Sequence, residues 1–355
     1  MRFGIIGLGW AAGAFHLPAL KTVPGAEVVG GCDPSEEQQV AFGKATGVPV
    51  YASLDELLEK GRLDAVVIAT PPSSHRDLCL QALEGGAHVI CEKPFVETVA
   101  QADEVIAAAD AAGLQVAVNH QYRSKKIFDA VRRRVGAPDV GELAFCQIVQ
   151  LMDLTPWEEP VAWRRAMPNR TLFEGGVHLV DLMLMMFGEQ PHAVYARQSS
   201  GLEQERQADA IHLVLLEFSR GRLGQITIDR LCKSGTRYIE LRADCEHASL
   251  RASHGGRALL QAGIKRATRP GVRFVYGLGG VAWEERGAAR KSLARDPRNA
   301  GIAATETLFQ DIVAAFEADR EPPSSARNAR NGLAVIEAAY RSSATGERVV
   351  LGPAV

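Results

Sequence analysis

Short apolar runs separated by helix-compatible stretches set the pattern of the first 120 residues. Arg2-Phe3-Gly4-Ile5-Ile6 reads as a strand, and so do Ala26 to Cys32, His88 to Cys91 and Leu114 to Val118. Asp64 to Thr70 is almost continuously apolar, the mark of a central parallel strand covered on both faces. Between these runs lie helix-compatible segments: Ala12 to Lys21, one that Ser73 or Ser74 can cap and that runs through Leu83, and one that Thr98 caps and that runs to Ala112. The alternation predicts an α/β fold with a doubly wound parallel sheet over residues 1–120.

From residue 121 onward the pattern changes. A helix is expected through Val135, and then Gly141 to Gln150, His192 to Gln198, Ala210 to Arg220, Leu223 to Leu231 and Arg237 to Ala243 read as strands. Ser219-Arg220-Gly221 supplies the turn between two of them, and a helix from Leu172 to Phe187 interrupts the series. Successive strands with few intervening helices predict a second, α+β domain over 121–355 with a mostly antiparallel sheet.

At 355 residues, two domains are expected, and 46% hydrophobic against 23% charged residues is enough to bury a proper core. A formal net charge of −2 gives no reason to expect nucleic acid or an anionic membrane as a partner. The cysteines at 32, 79, 91, 146, 232 and 245 show no metal-binding spacing. No signal-like segment is expected, nor any apolar stretch near the ~20 residues that span a bilayer, so reduced thiols in a cytoplasm are the expectation.

Chemistry concentrates at the ends of the strands. The first opens into Gly7-Leu8-Gly9-Trp10-Ala11-Ala12, the G-x-G-x-x-A pattern between a strand and a helix. Gly7 permits the tight turn, Gly9 lets a pyrophosphate approach the backbone, Ala12 allows close helix packing, and the helix N-terminus faces the phosphate charge. Asp33 ends the second strand 24 residues beyond Gly9, near the ~20 expected for an acid that accepts the ribose hydroxyls of NAD. A carboxylate there repels the extra phosphate of NADP, and Pro34, Ser35 and Glu36 offer no compensating cation. Asp33 can also cap the next helix, with Pro34 at its first position. Trp10, Ala11, Thr70, Pro71, His75 and Glu92 share this carboxyl edge as cofactor-contact candidates. Lys93 follows His88-Val89-Ile90-Cys91 within Cys91-Glu92-Lys93-Pro94, so the strand delivers an ammonium group to the ligand-binding edge.

A second constellation lies on the Leu172 to Phe187 helix, where Glu174, His178 and Asp181 fall four and three residues apart on one face. An imidazole steered by a nearby carboxylate is what proton transfer to or from a hydroxyl requires. Such a pair can also hold zinc, but nothing elsewhere supplies a further ligand pair, so no metal is expected. Just ahead of this helix, Trp157, Trp163, Arg164 and Arg165 offer aromatic faces and guanidinium forks that suit a polyhydroxylated substrate. Residues 257–298 hold ten Lys or Arg against three acids, a local charge of +7 that is read as a solvated insertion, an oligomer contact or a site for a phosphorylated sugar.

Together, Gly7-x-Gly9-x-x-Ala12, Asp33, Glu92-Lys93-Pro94 and Glu174-x-x-x-His178-x-x-Asp181 resemble the Gfo/Idh/MocA oxidoreductases over nearly the whole chain. The resemblance implies a Rossmann domain followed by a domain whose large open sheet mediates dimers or tetramers. It also implies hydride transfer between NAD(P) and a hydroxyl-bearing carbon of a sugar or cyclitol. Lys93 matches the lysine that holds the reacting hydroxyl and His178 the general acid/base. Glu174 stands where the family most often has aspartate, and Asp181 matches a substrate or structural carboxylate. Tyr122 and Arg123 fall where the family places groups facing the substrate, and Trp163-Arg164 where a Trp-Arg pair recurs. An NAD-dependent glycoside hydrolase or lyase uses the same redox residues, and a non-catalytic NAD-binding regulator would be expected to lose Lys93 and His178.

Overall fold

The computed structural model describes all residues except 154–162, 165, 166, 168, 202–208, 234–237, 256, 263–271, 278, 279 and 355; for 257–262 and 272–277 it describes the backbone. The first sheet is parallel, in the order β3-β2-β1-β4-β5-β6. Its strands are β1 (Arg2–Ile6), β2 (Glu27–Cys32), β3 (Val50–Tyr51), β4 (Ala65–Ile68), β5 (His88–Cys91) and β6 (Val116–Val118). Every residue of β4 is buried, as the continuous apolar run requires. Helices α1 (Leu17–Thr22), α2 (Glu36–Thr46), α3 (Leu54–Gly61), α4 (His75–Glu84) and α5 (Val99–Ala112) cover the faces. The order reverses between β1 and β4, so their carboxyl ends form the crevice of a doubly wound sheet.

Local chemistry sets the ends of these helices. Thr98 caps α5 by accepting from Gln101 N, as expected, but α2 begins one residue after Ser35, which accepts from Gln38 N. Ser35, not Asp33, is therefore the cap of α2. Ser74 precedes α4 but sends its hydroxyl to Thr70 Oγ1 and the Pro71 carbonyl, so it does not cap that helix.

The second sheet has nine strands in the order β16-β15-β12-β11-β7-β10-β9-β8-β17. They are β7 (Leu143–Leu151), β8 (Ala193–Ser199), β9 (Ile211–Glu217), β10 (Leu223–Asp229), β11 (Tyr238–Cys245), β12 (Ser249–Gly255), β15 (Val281–Arg286), β16 (Ala289–Arg295) and β17 (Val349–Val350), while β13 (Arg257–Ala262) and β14 (Val272–Gly277) pair apart. All neighbours in the nine-stranded sheet run antiparallel except β7 and β10, which are parallel. Alternation along β9 buries His212, Val214 and Leu216 and leaves Leu213 and Leu215 about half exposed, at 49% and 51%. One face thus packs against α7 (Val177–Phe187) and α9 (Ala326–Thr345), and the other stays open.

The chain returns to the first sheet before it ends. On α8 (Ala300–Glu317), Leu308, Phe309, Ile312, Val313 and Phe316 share a buried cluster with Phe3, Ile5 and Val67. Residues beyond 121 thereby complete the core of the first sheet. Helix α6 (Lys126–Arg134) packs on β12, β15 and β16 of the second sheet.

Two expected helices are not continuous. Ala12–His16 is a π-helical turn ahead of α1, and Thr171–Gly175 is a π-helical turn ahead of α7, closed by Gly176 N donating to Thr171 O at 2.8 Å. The break follows from Gly175-Gly176: a Cβ on Gly176 would stand 2.6 Å from Ile228 and 2.8 Å from the Leu172 carbonyl. A five-residue hydrogen-bond loop does not keep four-residue spacing on one face. The single α-helical face expected for Glu174, His178 and Asp181 is therefore interrupted at Glu174.

His75 fastens the edge where the candidate site lies. It is fully buried, with Nδ1 at 2.9 Å from Pro94 O and 3.0 Å from Phe95 O and with Nε2 at 2.9 Å from Thr70 O. It ties the end of β4 to the loop after β5 and is enclosed by protein, not open to a nicotinamide ring. His75→Ala is expected to lower the unfolding free energy by roughly 2–4 kcal/mol, the scale of a lost buried side chain and its orphaned partners. Urea titration reads this as a lower midpoint; an unchanged midpoint would show that the three carbonyls do not depend on the ring.

Candidate active site

The site is built at the end of β5. Cys91, inside the sheet, is followed by Glu92 and Lys93 just past its edge, and the Lys93–Pro94 peptide is cis. Lys93 Nζ donates to Glu174 Oε1 and to the Glu174 carbonyl, both at 3.0 Å, and each side chain keeps only 15% of its exposure. The π-helical turn aims Glu174 away from α7 and across the cleft at the first sheet. Arg164 and Arg230 each approach its carboxylate at 3.6 Å. Burial alone would raise the Glu174 carboxyl, but the charges of Lys93, Arg230 and Arg164 outweigh it and bring it down to about 2.

His178 is the second residue of α7, buried and stacked on Tyr122 with ring centroids 4.2 Å apart and an interplanar angle of 13°. His120 meets it edge-on at 6.1 Å. Burial holds the His120 imidazole below its usual range, Asp181 opposing and Arg123 and Lys93 reinforcing the shift. Tyr122 is buried and carries Lys125 Nζ 4.3 Å from its ring centroid, so it serves as the platform under His178 rather than as an open substrate contact.

Arg123, expected to face substrate, and Asp181, expected as a substrate or structural carboxylate, face each other. Arg123 Nε donates to both Asp181 oxygens at 2.9 and 2.8 Å, and its other nitrogens reach Pro323 O and Asn328 Oδ1. Asp181 is buried and Arg123 partly so, and the pair ties the turn after β6 to α7 and the start of α9. Trp163 and Arg164 stay at the mouth of the site, with the guanidinium 5.0 Å from the indole centroid. Trp157, Arg165 and the basic residues 265, 266 and 269 lie outside the described residues. Elsewhere in the basic stretch, Arg286 pairs with Glu284 and Asp139, and Arg290 lies 3.8 Å over the Trp283 ring.

Glu92 anchors the same loop from below. His16 Nε2 lies 2.9 Å from its Oε1, Asn119 Nδ2 donates to that oxygen at 2.7 Å, and Lys93 N donates to Oε2 at 3.0 Å. Burial would raise this carboxyl as well, but the hydrogen bond and attraction of His16, with Asn119 and Lys93, bring it to about 2. His16, Asn119, His120 and Arg230 are the members of this site that sequence reasoning missed. Asn119 and His120 follow a strand on the ligand edge, the one signal that pointed to them.

The edge fits a dinucleotide. Gly7 has φ of +85°, and a Cβ there would stand 2.9 Å from the Ala69 backbone, so the turn requires glycine. A Cβ on Gly9 would meet nothing within 4 Å, which leaves the backbone open from outside. Ala11 and Ala12 begin the following turn, and Trp10 stands 73% exposed with its ring edge-on to Phe15. The Asp33 carboxylate accepts from Leu8 N and Ser35 N at 2.8 Å each, which fixes it beside the glycine turn. Thr70 and Pro71 stand on the same edge at the end of β4, and Asn119 Oδ1 and His120 Nδ1 are buried without a hydrogen-bond partner among the described residues.

A glycine-turn Rossmann sheet open at its carboxyl edge is the fold of a dinucleotide-binding protein. Residues 1–120 match the model described as "Oxidoreductase family, NAD-binding Rossmann fold", and 128–251 match the "GFO/IDH/MocA C-terminal domain". The chain belongs to the Gfo/Idh/MocA oxidoreductases, and its first 120 residues are an NAD-binding Rossmann domain. It is 26% identical over 347 residues to D-apiose dehydrogenase of Paraburkholderia graminis, covering 95% of this chain and 86% of that one. It is 28% identical to 1,5-anhydro-D-fructose reductase of Ensifer adhaerens, covering 59% of this chain and 64% of that one. Among solved structures, an oxidoreductase from Agrobacterium radiobacter in complex with NAD+, L-tartaric acid and magnesium superposes with a TM-score of 0.84 at 19% identity, covering 99% of this chain and 98% of that one. Among the described residues, no helix is long and apolar enough to cross a membrane.

The Glu174 carboxyl lies well below the ordinary carboxylate value of 4.5. Its contribution to stability is thus fully present above that value and is lost as pH falls toward about 2. Glu174→Gln is expected to be less stable than the parent near neutrality, with the difference shrinking as pH drops through this window. Denaturant midpoints at neutral pH and near pH ~3 measure it, and an offset that stays constant would contradict the pairing.

Proposed function

We propose that this protein transfers hydride between a nicotinamide and a secondary hydroxyl or ketone of a sugar, sugar derivative or cyclitol. The observation that supports the reading is the Lys93 to Glu174 contact at 3.0 Å, between a lysine at the Rossmann edge and the turn that leads into the helix of His178. Bound there, the nicotinamide would accept or return the hydride. The turn of Gly7, Gly9, Ala11 and Ala12 would hold the pyrophosphate and Asp33 the ribose, and this carboxylate favours NAD over NADP. His178 takes the hydroxyl proton as the carbonyl forms, and Lys93 donates a hydrogen bond to the oxygen as negative charge develops on it. Glu174 orients Lys93, and with Arg164 and Trp163 it lines the substrate side.

The names of the sugar-acting relatives support this substrate class. Residues 121–355 would form the substrate-binding and oligomerisation domain. Tyr195, Leu213, Leu215 and Leu223, exposed on the open sheet face, support a homodimer or homotetramer. All six cysteines are free thiols, in keeping with a cytoplasmic protein.

A panel of sugars, sugar acids, cyclitols and glycosides, scanned for reduction of NAD by the near-ultraviolet absorbance of the reduced cofactor, identifies the substrate. On that substrate Lys93→Ala and His178→Ala should each lower turnover by ~100-fold or more, the usual contribution of positioned acid–base groups. Turnover within a few-fold of the parent in both variants would overturn the assignment.

A further inference from the structure

A buried polar cluster behind the site has no part in the chemistry described above. Asp209 stands two residues before the start of β9, His212 on β9 and Tyr340 on α9, and the side chains of Asp209 and His212 are essentially excluded from solvent. His212 Nε2 lies 2.8 Å from Asp209 Oδ2, Tyr340 donates to the same oxygen at 2.5 Å, and the His212 and Tyr340 rings meet edge-on. The carboxylate is aimed at backbone. Asp209 Oδ1 accepts from Arg170 N and Thr171 N, each at 3.1 Å, while Tyr340 Oη accepts from Leu172 N at 3.2 Å. The Thr171 hydroxyl donates to the Asp209 carbonyl.

These three N–H groups open the π-helical turn that ends in Glu174 and Gly175. A helical turn leaves its first N–H groups without internal partners, and a negative charge placed there is favourable. Arg230 closes the other side: its Nη2 donates to the Arg170 and Thr171 carbonyls and lies 3.6 Å from Glu174 Oε2. The segment from 170 to 172 is thus gripped at N–H and carbonyl groups, ending two residues before the side chain that meets Lys93. Burial opposes the charge on Asp209, yet the hydrogen bonds of His212, Tyr340 and Thr171 keep its carboxyl below the usual range. A buried charge is costly unless every partner is in place, so the cluster holds one geometry or none.

We propose that Asp209, His212 and Tyr340 are positioning residues that fix backbone 170–172, so that the interrupted helix presents Glu174 to Lys93 across the domain cleft. The proposal rests on the reading that Lys93, Glu174 and His178 form the reacting site.

The first readout of its test needs no substrate. The intact protein is labelled with trace acetic anhydride, and the acylation rate of Lys93 is read by peptide mass spectrometry. Glu174→Gln, which removes the carboxylate itself, should raise the Lys93 rate roughly tenfold, the scale of one lost charge-assisted hydrogen bond. Asp209→Asn and Tyr340→Phe should raise it several-fold in the same direction, with lysines elsewhere unchanged. Tyr340→Phe removes one hydroxyl from a retained ring, so it preserves the test if Asp209→Asn fails to fold. On the substrate from the panel, both variants should lower kcat while the dissociation constant for NADH stays within about twofold. If Glu174→Gln leaves Lys93 reactivity unchanged, the pairing behind the proposed function is wrong. If Glu174→Gln raises it and folded Tyr340→Phe leaves both Lys93 reactivity and kcat at the parent level, the positioning role is wrong and the site reading stands.

Discussion

The contact between Lys93 and Glu174 is the constraint on which the rest of the site depends. One partner belongs to the edge of a parallel sheet and the other to a turn of the second half of the chain, 81 residues later. Removing one member of a buried ion pair leaves a stranded charge and costs about 3–5 kcal/mol. That penalty favours the one arrangement in which the Rossmann edge and the helix of His178 face the same cleft. Lys93 itself, with Arg230 and Arg164, outweighs burial and holds Glu174 ionised, so the lysine keeps an acceptor that does not become protonated in the neutral range.

The surrounding charges are arranged to keep this contact undisturbed. Glu92, next to Lys93 in sequence, is taken up by His16 and Asn119, and Asp181, three residues beyond His178, is taken up by Arg123. Both neighbouring carboxylates are thus satisfied elsewhere. His178 is left against an aromatic face, beside a buried His120 whose imidazole burial holds below its usual range. The helix α8 closes the first sheet from the far end of the chain, so the two halves fold as partners in one core as well as in one site.

Much of this was legible in the sequence because it rests on local rules. The strand–glycine–helix opening, the apolar β4, the lysine after β5 and the histidine of α7 all follow from periodicity and the chemistry of strand ends. What stayed hidden depends on tertiary partners. Arg123 looks like a substrate group until it is seen 2.7 Å from Asp181. His16 reads as an ordinary helix residue, although it anchors Glu92. The face expected for Glu174 and His178 assumed a regular helix, and the adjacent Gly175-Gly176 was the visible warning that the helix would break. Glu174, longer than an aspartate by one methylene, reaches Lys93 from that irregular turn.

A double-mutant cycle on kcat/KM with Lys93→Met and Glu174→Gln tests the central contact most directly. Because the two groups act as one unit, each single variant should lose nearly as much as the double, leaving a coupling energy well above the ~0.5 kcal/mol seen for independent sites. Losses that simply add would contradict the account, because Lys93 and Glu174 would then serve the reaction separately.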